Sequence, residues 1–395
     1  MPGRRTRVAL AAGAAGAAGL ALAGPALDLA IGRVERGLMR VTQPPHRPSE
    51  RALALHASIR AVDLHADSLL FGRDLLVRGD RGHSDVPRMI EGGVALQVLS
   101  AAVKAPRSRS MDRNDDTTDD VTLVAVAARW PPRTWRSLPE RARFLASRAH
   151  ALEARSGGTF RVIGSREALA AYLSDRASNP RLTAGLLAIE GAHALGDDLS
   201  TLDAMVAAGF RMISPSHLFD TRFGGSAHGV GKGGLTALGR DLVRAMEARS
   251  LMVDVAHASS ATIDDVLSIA ARPVVASHTG VRGTADSVRN LSDEHLRGIA
   301  RTGGLVGIGF WELATGGRDV ASIVRAILYA IDVVGADHVA LGSDWDGAVA
   351  VPFDAAGLPA LTDGLLDAGL DDATIRDVMG ENALRLFAEA LPAGA

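Results

Sequence analysis

The sequence predicts an α/β protein in which eight parallel strands close into a TIM-like (β/α)8 barrel. Short apolar runs alternate with longer segments of helical periodicity, which is the pattern of repeated strand and helix units. Eight such runs can be counted, and 395 residues are enough for one barrel domain. The predicted strands cover residues 61–64, 94–100, 185–189, 211–215, 251–255, 273–276, 304–310 and 338–342.

The segments between these strands supply the predicted outer helices. Residues 235–249 and 319–334 carry apolar side chains at helical spacing. The interval of about 104–184 is less regular, and we predict that it is an insertion with two helices that helps to cover the site. Its acidic run, residues 112–120, is more typical of a solvated loop than of a metal site.

The first 31 residues are predicted to be a signal peptide or a membrane anchor. Three arginines precede residues 8–27, which carry no charge and are long enough to cross a bilayer. An Ala-Leu-Ala motif at residues 21–23 offers a signal-peptidase site, so cleaved and uncleaved forms both stay open, as does a buried Ala-rich helix. We therefore expect an exported protein that is periplasmic or extracellular, or held at the membrane through residues 8–27. A proline-containing linker, residues 32–50, would lead into the barrel domain, residues 51–395.

The composition restricts both the chemistry and the partners. Cysteine is absent, which excludes disulfides, thiolate metal sites and cysteine nucleophiles, and leaves His, Asp and Glu as the metal ligands. The formal net charge of -2 lacks the basic excess of a phosphate-binding surface. No nucleic-acid partner is therefore expected.

Side chains that bind metal or move protons stand at the carboxyl ends of six predicted strands. Catalytic groups of such barrels lie at these ends, where the loops face one another. The first strand ends in Val-Asp-Leu-His-Ala-Asp, and the two-residue period of a strand puts His65 and Asp67 on one face. An imidazole and a carboxylate in this arrangement suit a divalent ion, typically zinc. The other strand-end residues are Glu190, His217, His257, His278 and Asp344.

Most of these residues also have a purely structural explanation. Glu190 could cap the following helix, although a carboxylate directly after Leu-Leu-Ala-Ile is costly to bury without a cation. His257 and His278 could each be hydrogen-bonded core histidines, but they end successive strands. Arg289 is either a solvated arginine or a fork that grips a substrate carboxylate. Supporting roles are left for Asp63, Asp254, His228 and, as the stronger candidate of the two loop histidines, His193.

Together these stretches resemble the membrane (renal) dipeptidases, which are zinc peptidases of the amidohydrolase-like barrel superfamily. The resemblance extends over residues 62–387 and keeps ten motifs in the family's order. They are Asp-Leu-His-Ala-Asp (63–67), Glu-Gly-Ala-His (190–193), Ser-His (216–217), Gly-Leu-Thr-Ala-Leu-Gly-Arg (234–240), Val-Asp-Val-Ala-His-Ala-Ser (253–259), Ala-Ser-His-Thr (276–279), Arg-Asn-Leu-Ser-Asp (289–293), Gly-Gly-Leu-Val-Gly (303–307), Gly-Ser-Asp-Trp-Asp-Gly (342–347) and Gly-Glu-Asn-Ala-Leu-Arg-Leu-Phe (380–387).

The resemblance implies a zinc-dependent dipeptidase with two Zn²⁺ ions per chain. His65 and Asp67 would bind one zinc ion, and His257 and His278 would bind the other. Glu190 would bridge both ions together with a hydroxide, which would attack the peptide carbonyl. A pair of zinc ions makes such a hydroxide available near neutral pH.

The resemblance also implies contacts with a dipeptide substrate. His217 would contact the oxygen of the tetrahedral intermediate, Arg289 would bind the substrate carboxylate, and Asp344 would contact the free amine and carry the proton. Two positions depart from the family pattern: Asp220 replaces an asparagine, and Trp311 replaces an aromatic hydroxyl of some members. Both departures bear on substrate preference, and neither removes a metal ligand.

Other functions stay open at this point. A related metal-dependent amidohydrolase would keep the barrel and the metals but act on N-acyl amino acids, β-lactams or a lactone. A protein of a different class would keep the fold for binding or scaffolding in the envelope without catalysis. A homodimer is also left open, as is tolerance of a D-residue at the carboxyl end of the dipeptide.

Overall fold

The eight predicted strands form a closed parallel barrel in the computed structural model, which describes residues 24–43, 45–108 and 110–394. Each strand pairs with the next one along the chain, and the last pairs with the first through Leu341 and Asp63. The predicted barrel is therefore confirmed. Its strands are β1 (Ala61–Ala66), β2 (Val94–Ala102), β3 (Thr183–Glu190), β4 (Phe210–Ile213), β5 (Met252–Asp254), β6 (Val274–Thr279), β7 (Leu305–Ile308) and β8 (Val339–Leu341).

Helices connect the strands, and several begin at a side chain that caps the first turn. Ser259 Oγ accepts a hydrogen bond from the backbone N–H of Thr262, and Asp319 Oδ1 accepts one from Ser322. The helices that follow β1 to β8 are Val86–Glu91, Asp120–Ala127, Leu138–Arg155, Arg166–Ser178, Leu202–Ala207, Ala237–Glu247, Ser260–Ile269, Asp293–Arg301, Glu312–Thr315, Val320–Val334, Pro359–Asp367, Asp372–Arg376 and Asn382–Ala390.

The carboxyl-terminal segment lies against the start of β1. A π-helical turn, Asp377–Glu381, precedes the last helix. A Cβ atom at Gly380 would lie 1.9 Å from the carbonyl oxygen of Arg60, so this close approach requires glycine. Asn382 donates hydrogen bonds to the carbonyl oxygens of Ala336 and Val339 at 2.7 and 2.9 Å. The final helix is thereby tied to both β1 and β8.

The interval of about 104–184 contains three helices, where two were expected, and a short strand, Phe160–Val162, that pairs with β3. The buried guanidinium of Arg141 fastens it to the barrel by donating to the carbonyl oxygen of Val103 at 2.7 Å. Arg141 also pairs with Asp119 at 2.6 Å. The acidic run is therefore not wholly a solvated loop, because one of its carboxylates is bound to a buried cation.

The amino-terminal part of the described structure does not support the predicted hydrophobic helix. Most of its segment, residues 8–27, lies outside the described residues. The first described helix, Gly24–Leu38, contains four charged residues in its sequence, which are costly inside a bilayer. Among the residues that the structure describes, no helix has the length and apolar character needed to cross a membrane.

The predicted linker, residues 32–50, is partly built into the fold. The helix continues to Leu38, and the strand Arg40–Val41 pairs in parallel with Ala350–Val351. Glu35 lies 2.5 Å from Arg81 in an ion pair, and its side chain is buried. These contacts hold the first described helix against the loops that follow β1 and β8.

Candidate active site

The barrel brings the predicted strand-end residues together at one buried site. His65, Glu190 and His278 lie at the ends of β1, β3 and β6, and the others lie in the loops that follow the strands. Parallel strands place all of these groups at the same end of the barrel. The eight predicted side chains are at most 9% exposed: His65, Asp67, Glu190, His217, His257, His278, Arg289 and Asp344.

Glu190 lies at the centre of this site. Its Oε1 atom is 3.0 Å from His257 Nε2, and its Oε2 atom is 3.4 Å from His217 Nε2. The Nε2 atoms of His278 and His65 lie 3.4 and 3.6 Å from Oε1. One carboxylate therefore faces four imidazoles that come from four different strand ends.

Three groups of side chains have ligand atoms within 4.8 Å of one another. Two of the groups share Glu190, which is the arrangement expected of a bridging carboxylate. One group keeps the implied pair of His65 and Asp67, whereas the implied pair of His257 and His278 is divided, because His278 falls with His65 and His257 falls with His217. The groups are His65, Glu190 and His278; Glu190, His217 and His257; and His65, Asp67 and Asp344.

These residues fit a divalent metal site by their chemistry. Four buried polar atoms of the site have no hydrogen-bond partner among the described residues. They are the two ring nitrogens of His65, Asp67 Oδ1 and Glu190 Oε2. Unpaired buried polar atoms are costly, and bound cations would satisfy them. Imidazole nitrogens and carboxylate oxygens without a thiolate suit zinc and similar divalent ions.

The protein's own charges also favour a cation at this site. Burial raises the pKa of Glu190 well above its usual value, and the nearby carboxylate of Asp67 adds to the effect. Burial opposes protonation of His65, but Glu190 and Asp67 raise its pKa to about 10. Burial lowers the pKa of three other imidazoles well below 6.5, those of His217, His257 and His278. These three are therefore neutral, which is the state in which imidazole binds a metal.

Buried hydrogen bonds from two strand residues, Asp254 and Asp63, orient groups of the site. Asp254 Oδ2 accepts a hydrogen bond from Ser277 Oγ at 2.7 Å, and Ser277 Oγ lies 2.9 Å from His278 Nδ1. Asp63 accepts hydrogen bonds from the N–H and the hydroxyl of Ser343, both at 2.6 Å. The two strand carboxylates thus hold a ligand imidazole and the loop after β8, as the sequence predicts for them.

Asp344 stands on a strained backbone that its neighbours hold in place. Its φ angle is 61°, and that of Asp346 is 65°, both in the left-handed region that non-glycine residues rarely occupy. Asp346 is fully buried, pairs with Arg73 at 2.6 Å and accepts a hydrogen bond from the N–H of His83 at 2.6 Å. Burial raises the pKa of Asp344 to about 8. Sequence reasoning missed Arg73 and Asp346, although Asp346 belongs to the motif at 342–347.

Arg289 lines the same cavity as Glu190 and Asp344. It is 5% exposed, and its Nη2 atom donates to the carbonyl oxygen of His278 at 2.5 Å. Its guanidinium carbon lies 5.7 Å from the ring centre of Trp311. Burial lowers the pKa of Arg289 to about 10, so the group stays charged at neutral pH. A buried guanidinium of this kind suits a carboxylate.

Three other residues singled out in the sequence lie around the metal-binding groups. Asp220 accepts backbone hydrogen bonds from Ser226 at 2.8 Å and Gly231 at 2.6 Å, and so shapes the loop after β4. His228, rather than His193, lines the cavity of the site, and its ring centre is 5.4 Å from that of His257. His193 packs against Phe219 with ring centres 4.9 Å apart.

Comparisons with known proteins show the family to which this chain belongs. The family model of the membrane dipeptidases, peptidase family M19, matches residues 49–393. A Klebsiella pneumoniae protein described as an uncharacterized protein in the pqqA 5′ region is 36% identical over 238 residues, which cover 56% of this chain and 88% of that protein.

Two solved structures have a similar fold. A metallopeptidase from Rhodobacter sphaeroides, liganded with a phosphinate mimic of the dipeptide L-Ala-D-Ala, is 27% identical with a TM-score of 0.68 and covers 84% of this chain and 99% of its own. A dipeptidase of family M19 is 28% identical with a TM-score of 0.67, and the match covers 85% of this chain and 100% of that dipeptidase. Since the family model spans nearly the whole barrel domain, the chain belongs to the membrane dipeptidase family and is a metal-dependent hydrolase of peptide bonds.

Proposed function

We propose that this protein is a dipeptidase that works with two zinc ions held around Glu190. The observation that carries the proposal is the position of the Glu190 carboxylate, which lies 3.0 to 3.6 Å from four imidazole nitrogens. Glu190 would bridge the ions, with His65 and Asp67 on one side and His257 and His278 on the other. When bound, such ions lower the pKa of a water molecule and provide a nucleophile near neutral pH.

The side chains around the metal ligands would orient the substrate and move the proton. Arg289 would bind the carboxylate of the dipeptide, and His217 would contact the oxygen on which negative charge develops. One such contact typically contributes about 3 kcal/mol to stabilisation of the transition state. Asp344 would hold the free amine, take the proton of the attacking water and pass it to the leaving nitrogen. An arginine at one end and a carboxylate at the other limit the peptide to two residues.

The proposal is tested by metal analysis combined with dipeptide hydrolysis. The purified protein is expected to contain about two zinc ions per chain, to hydrolyse dipeptides, to lose activity with a chelator and to regain it with zinc. Faster hydrolysis of N-acyl amino acids or β-lactams than of any dipeptide would favour the related amidohydrolase function. Negligible metal and no hydrolysis would favour a non-catalytic envelope protein.

We also propose that the protein is exported, as the arginines and the uncharged segment at residues 8–27 suggest. Fractionation of cells that produce the full chain would test this, with detection in the periplasm, the medium or the membrane as the expected result. The mass of the mature chain would show whether the amino-terminal segment is removed as a signal peptide or retained as an anchor. Recovery of the intact chain only from the cytoplasm would contradict export.

A further inference from the structure

The active site opens into a cavity that is larger than a dipeptide of two small residues requires. The cavity has a volume of about 1030 Å³, at the upper end of the range of roughly 300 to 1,000 Å³ for pockets that bury drug-sized ligands. Glu190, His217, Arg289 and Asp344 line its buried end. The rest of the cavity, which we call the outer chamber, offers room beyond the reacting amide.

The wall of the outer chamber is mainly apolar. Much of it comes from three parts of the chain: the loop after β1, the helix Asp120–Ala127 and the first described helix, Gly24–Leu38. Phe71 and Val121 are 7% and 2% exposed, whereas Val34 and Leu123 are 60% and 59% exposed, so part of this wall is buried and part of it faces solvent. The main apolar side chains of the three parts are Leu70 and Phe71, Val121 and Val124, and Ile31 and Val34.

The charged residues of the chamber are already paired with protein groups or lie at the surface. Arg129 is exposed. The other four, Glu35, Arg81, Asp120 and Asp346, are held in ion pairs: Glu35 with Arg81 at 2.5 Å, Asp346 with Arg73 at 2.6 Å, and Asp120 with Arg107 at 3.4 Å. Among the lining residues that the structure describes, the chamber therefore has no buried, uncompensated charge that would select a polar or charged substrate group.

The chamber adjoins the side of the site that we assign to the amino end of the substrate. Leu70 and Phe71 follow Asp67 in one loop, and Val349, which also lines the cavity, follows Asp344. Arg289, assigned to the substrate carboxylate, comes instead from the loop after β6. Trp311, whose ring centre lies 5.7 Å from the Arg289 guanidinium carbon, and Leu313 also line the cavity, but the three parts named above supply many more of its apolar side chains. A large group attached to the acyl half of the substrate would thus enter the apolar chamber.

We infer that the outer chamber binds a large apolar group on the acyl half of the substrate, an inference that rests on the proposed dipeptidase function. Two kinds of substrate share this chemistry: a dipeptide with a bulky aliphatic or aromatic first residue, and an amino acid with an N-linked acyl chain. In either case water adds its oxygen to the carbonyl carbon, the C–N bond breaks, and a proton goes to the leaving nitrogen. The first kind keeps an ammonium group near Asp344, and the second lacks it.

The experiment compares kcat/KM for Leu-Ala, Phe-Ala and Ala-Ala with the zinc-loaded full-length protein. Each buried methylene group contributes about fourfold, so we expect Leu-Ala and Phe-Ala to exceed Ala-Ala by about 10-fold or more. N-lauroyl-alanine and N-acetyl-alanine identify the second source. A preference for the lauroyl compound over all dipeptides would assign the chamber to an acyl chain and would replace the proposed dipeptidase function by the related amidohydrolase function. Equal kcat/KM values for Ala-Ala and the bulky dipeptides, without a preference for the lauroyl compound, overturn the inferred role of the outer chamber but not the proposed function. Failure to hydrolyse any of these amides overturns the proposed function as well.

Variants test the chamber wall without touching the catalytic groups. Val124→Trp would fill the chamber and should lower kcat/KM for Phe-Ala by about 10-fold while Ala-Ala hydrolysis persists. Val34→Gln should lower the ratio of kcat/KM for Phe-Ala to kcat/KM for Ala-Ala about threefold. Val77→Gln is its matched control, because Val77 is 61% exposed against 60% for Val34 and does not line the cavity. Thermal unfolding checks that each variant is folded, and an unchanged ratio in folded Val34→Gln and Val124→Trp proteins contradicts the inference.

Discussion

His257 Nε2 lies 3.0 Å from His278 Nε2, although the two residues follow different strands of the barrel. Burial keeps the pKa of both imidazoles well below 6.5, so neither ring carries a charge that would drive the two apart. Both rings turn the same nitrogen towards Glu190. Such a convergence of ring nitrogens on one carboxylate is explained by a shared metal centre better than by packing alone.

If the proposed function is correct, replacement of Glu190 by glutamine should reduce the metal content from the proposed two ions per chain to one or none. An amide is a much weaker ligand than a carboxylate, and Glu190 is the residue that the two metal groups share. Activity should fall more than about 100-fold. Inductively coupled plasma mass spectrometry measures the stoichiometry, and Glu294→Gln on the exposed face of another helix is the control. If the Glu190→Gln protein still binds two ions per chain, Glu190 is not needed as a bridging ligand.

Replacement of Asp344 by asparagine should leave the metals in place and abolish turnover. The amide is similar in size but cannot accept the water proton, and loss of a general base typically costs about 10²- to 10⁴-fold in rate. Single-turnover kinetics and metal analysis on the same preparation separate the two effects. Asp332→Asn, at an exposed position, should behave as the wild type. A near-normal kcat in the Asp344→Asn protein would show that a group other than Asp344 carries the proton.

Replacement of Arg289 by glutamine should raise KM more than it lowers kcat. The guanidinium is buried and already oriented by the carbonyl oxygen of His278, so loss of its bond to a carboxylate should cost about 10- to 100-fold in kcat/KM. The substrate itself provides the control. A dipeptide with an amidated carboxyl end should be a poor substrate of the wild type but lose little further in the variant, whereas equal losses for both substrates would show that Arg289 acts elsewhere.

The stability of the fold should decrease as the pH falls below about 6.5, partly because of His56. Its ring nitrogens contact Thr362 Oγ1 at 2.7 Å and the Gly92 carbonyl oxygen at 2.9 Å. Burial lowers the pKa of His56, against the opposing effect of the Gly92 carbonyl. The unfolded chain therefore binds this proton first, and the neutral form stabilises the folded state fully only above the unfolded pKa.

Urea unfolding at a series of pH values checks this contribution. Between the unfolded and the folded pKa, one such histidine adds a slope of up to about 1.4 kcal/mol per pH unit to the free energy of unfolding. His56→Gln should reduce the slope of the wild type in this window. His150→Gln, at an exposed position, should leave it unchanged. An identical slope in the wild-type and His56→Gln proteins would contradict the assignment.

The amino-acid sequence by itself determined the barrel and the residues that meet in its site. Strand periodicity and the position of a side chain at a strand end are local properties, so His65, Glu190 and His278 could be chosen without any distance. The absence of cysteine likewise limited the ligands to imidazoles and carboxylates before the fold was known. These inferences need only short windows of sequence and the rule that parallel strands end together.

Only the tertiary structure decided how those residues are grouped and what surrounds them. The proximity of His278 to His65, the pairing of Arg73 with Asp346 and the place of Val34 in the cavity wall depend on contacts between distant parts of the chain. Closure of the barrel brings β8 beside β1 and fixes these distances, which no local pattern encodes. The same long-range packing placed the helix Gly24–Leu38 against the cavity, where the sequence predicted only a leader and a linker.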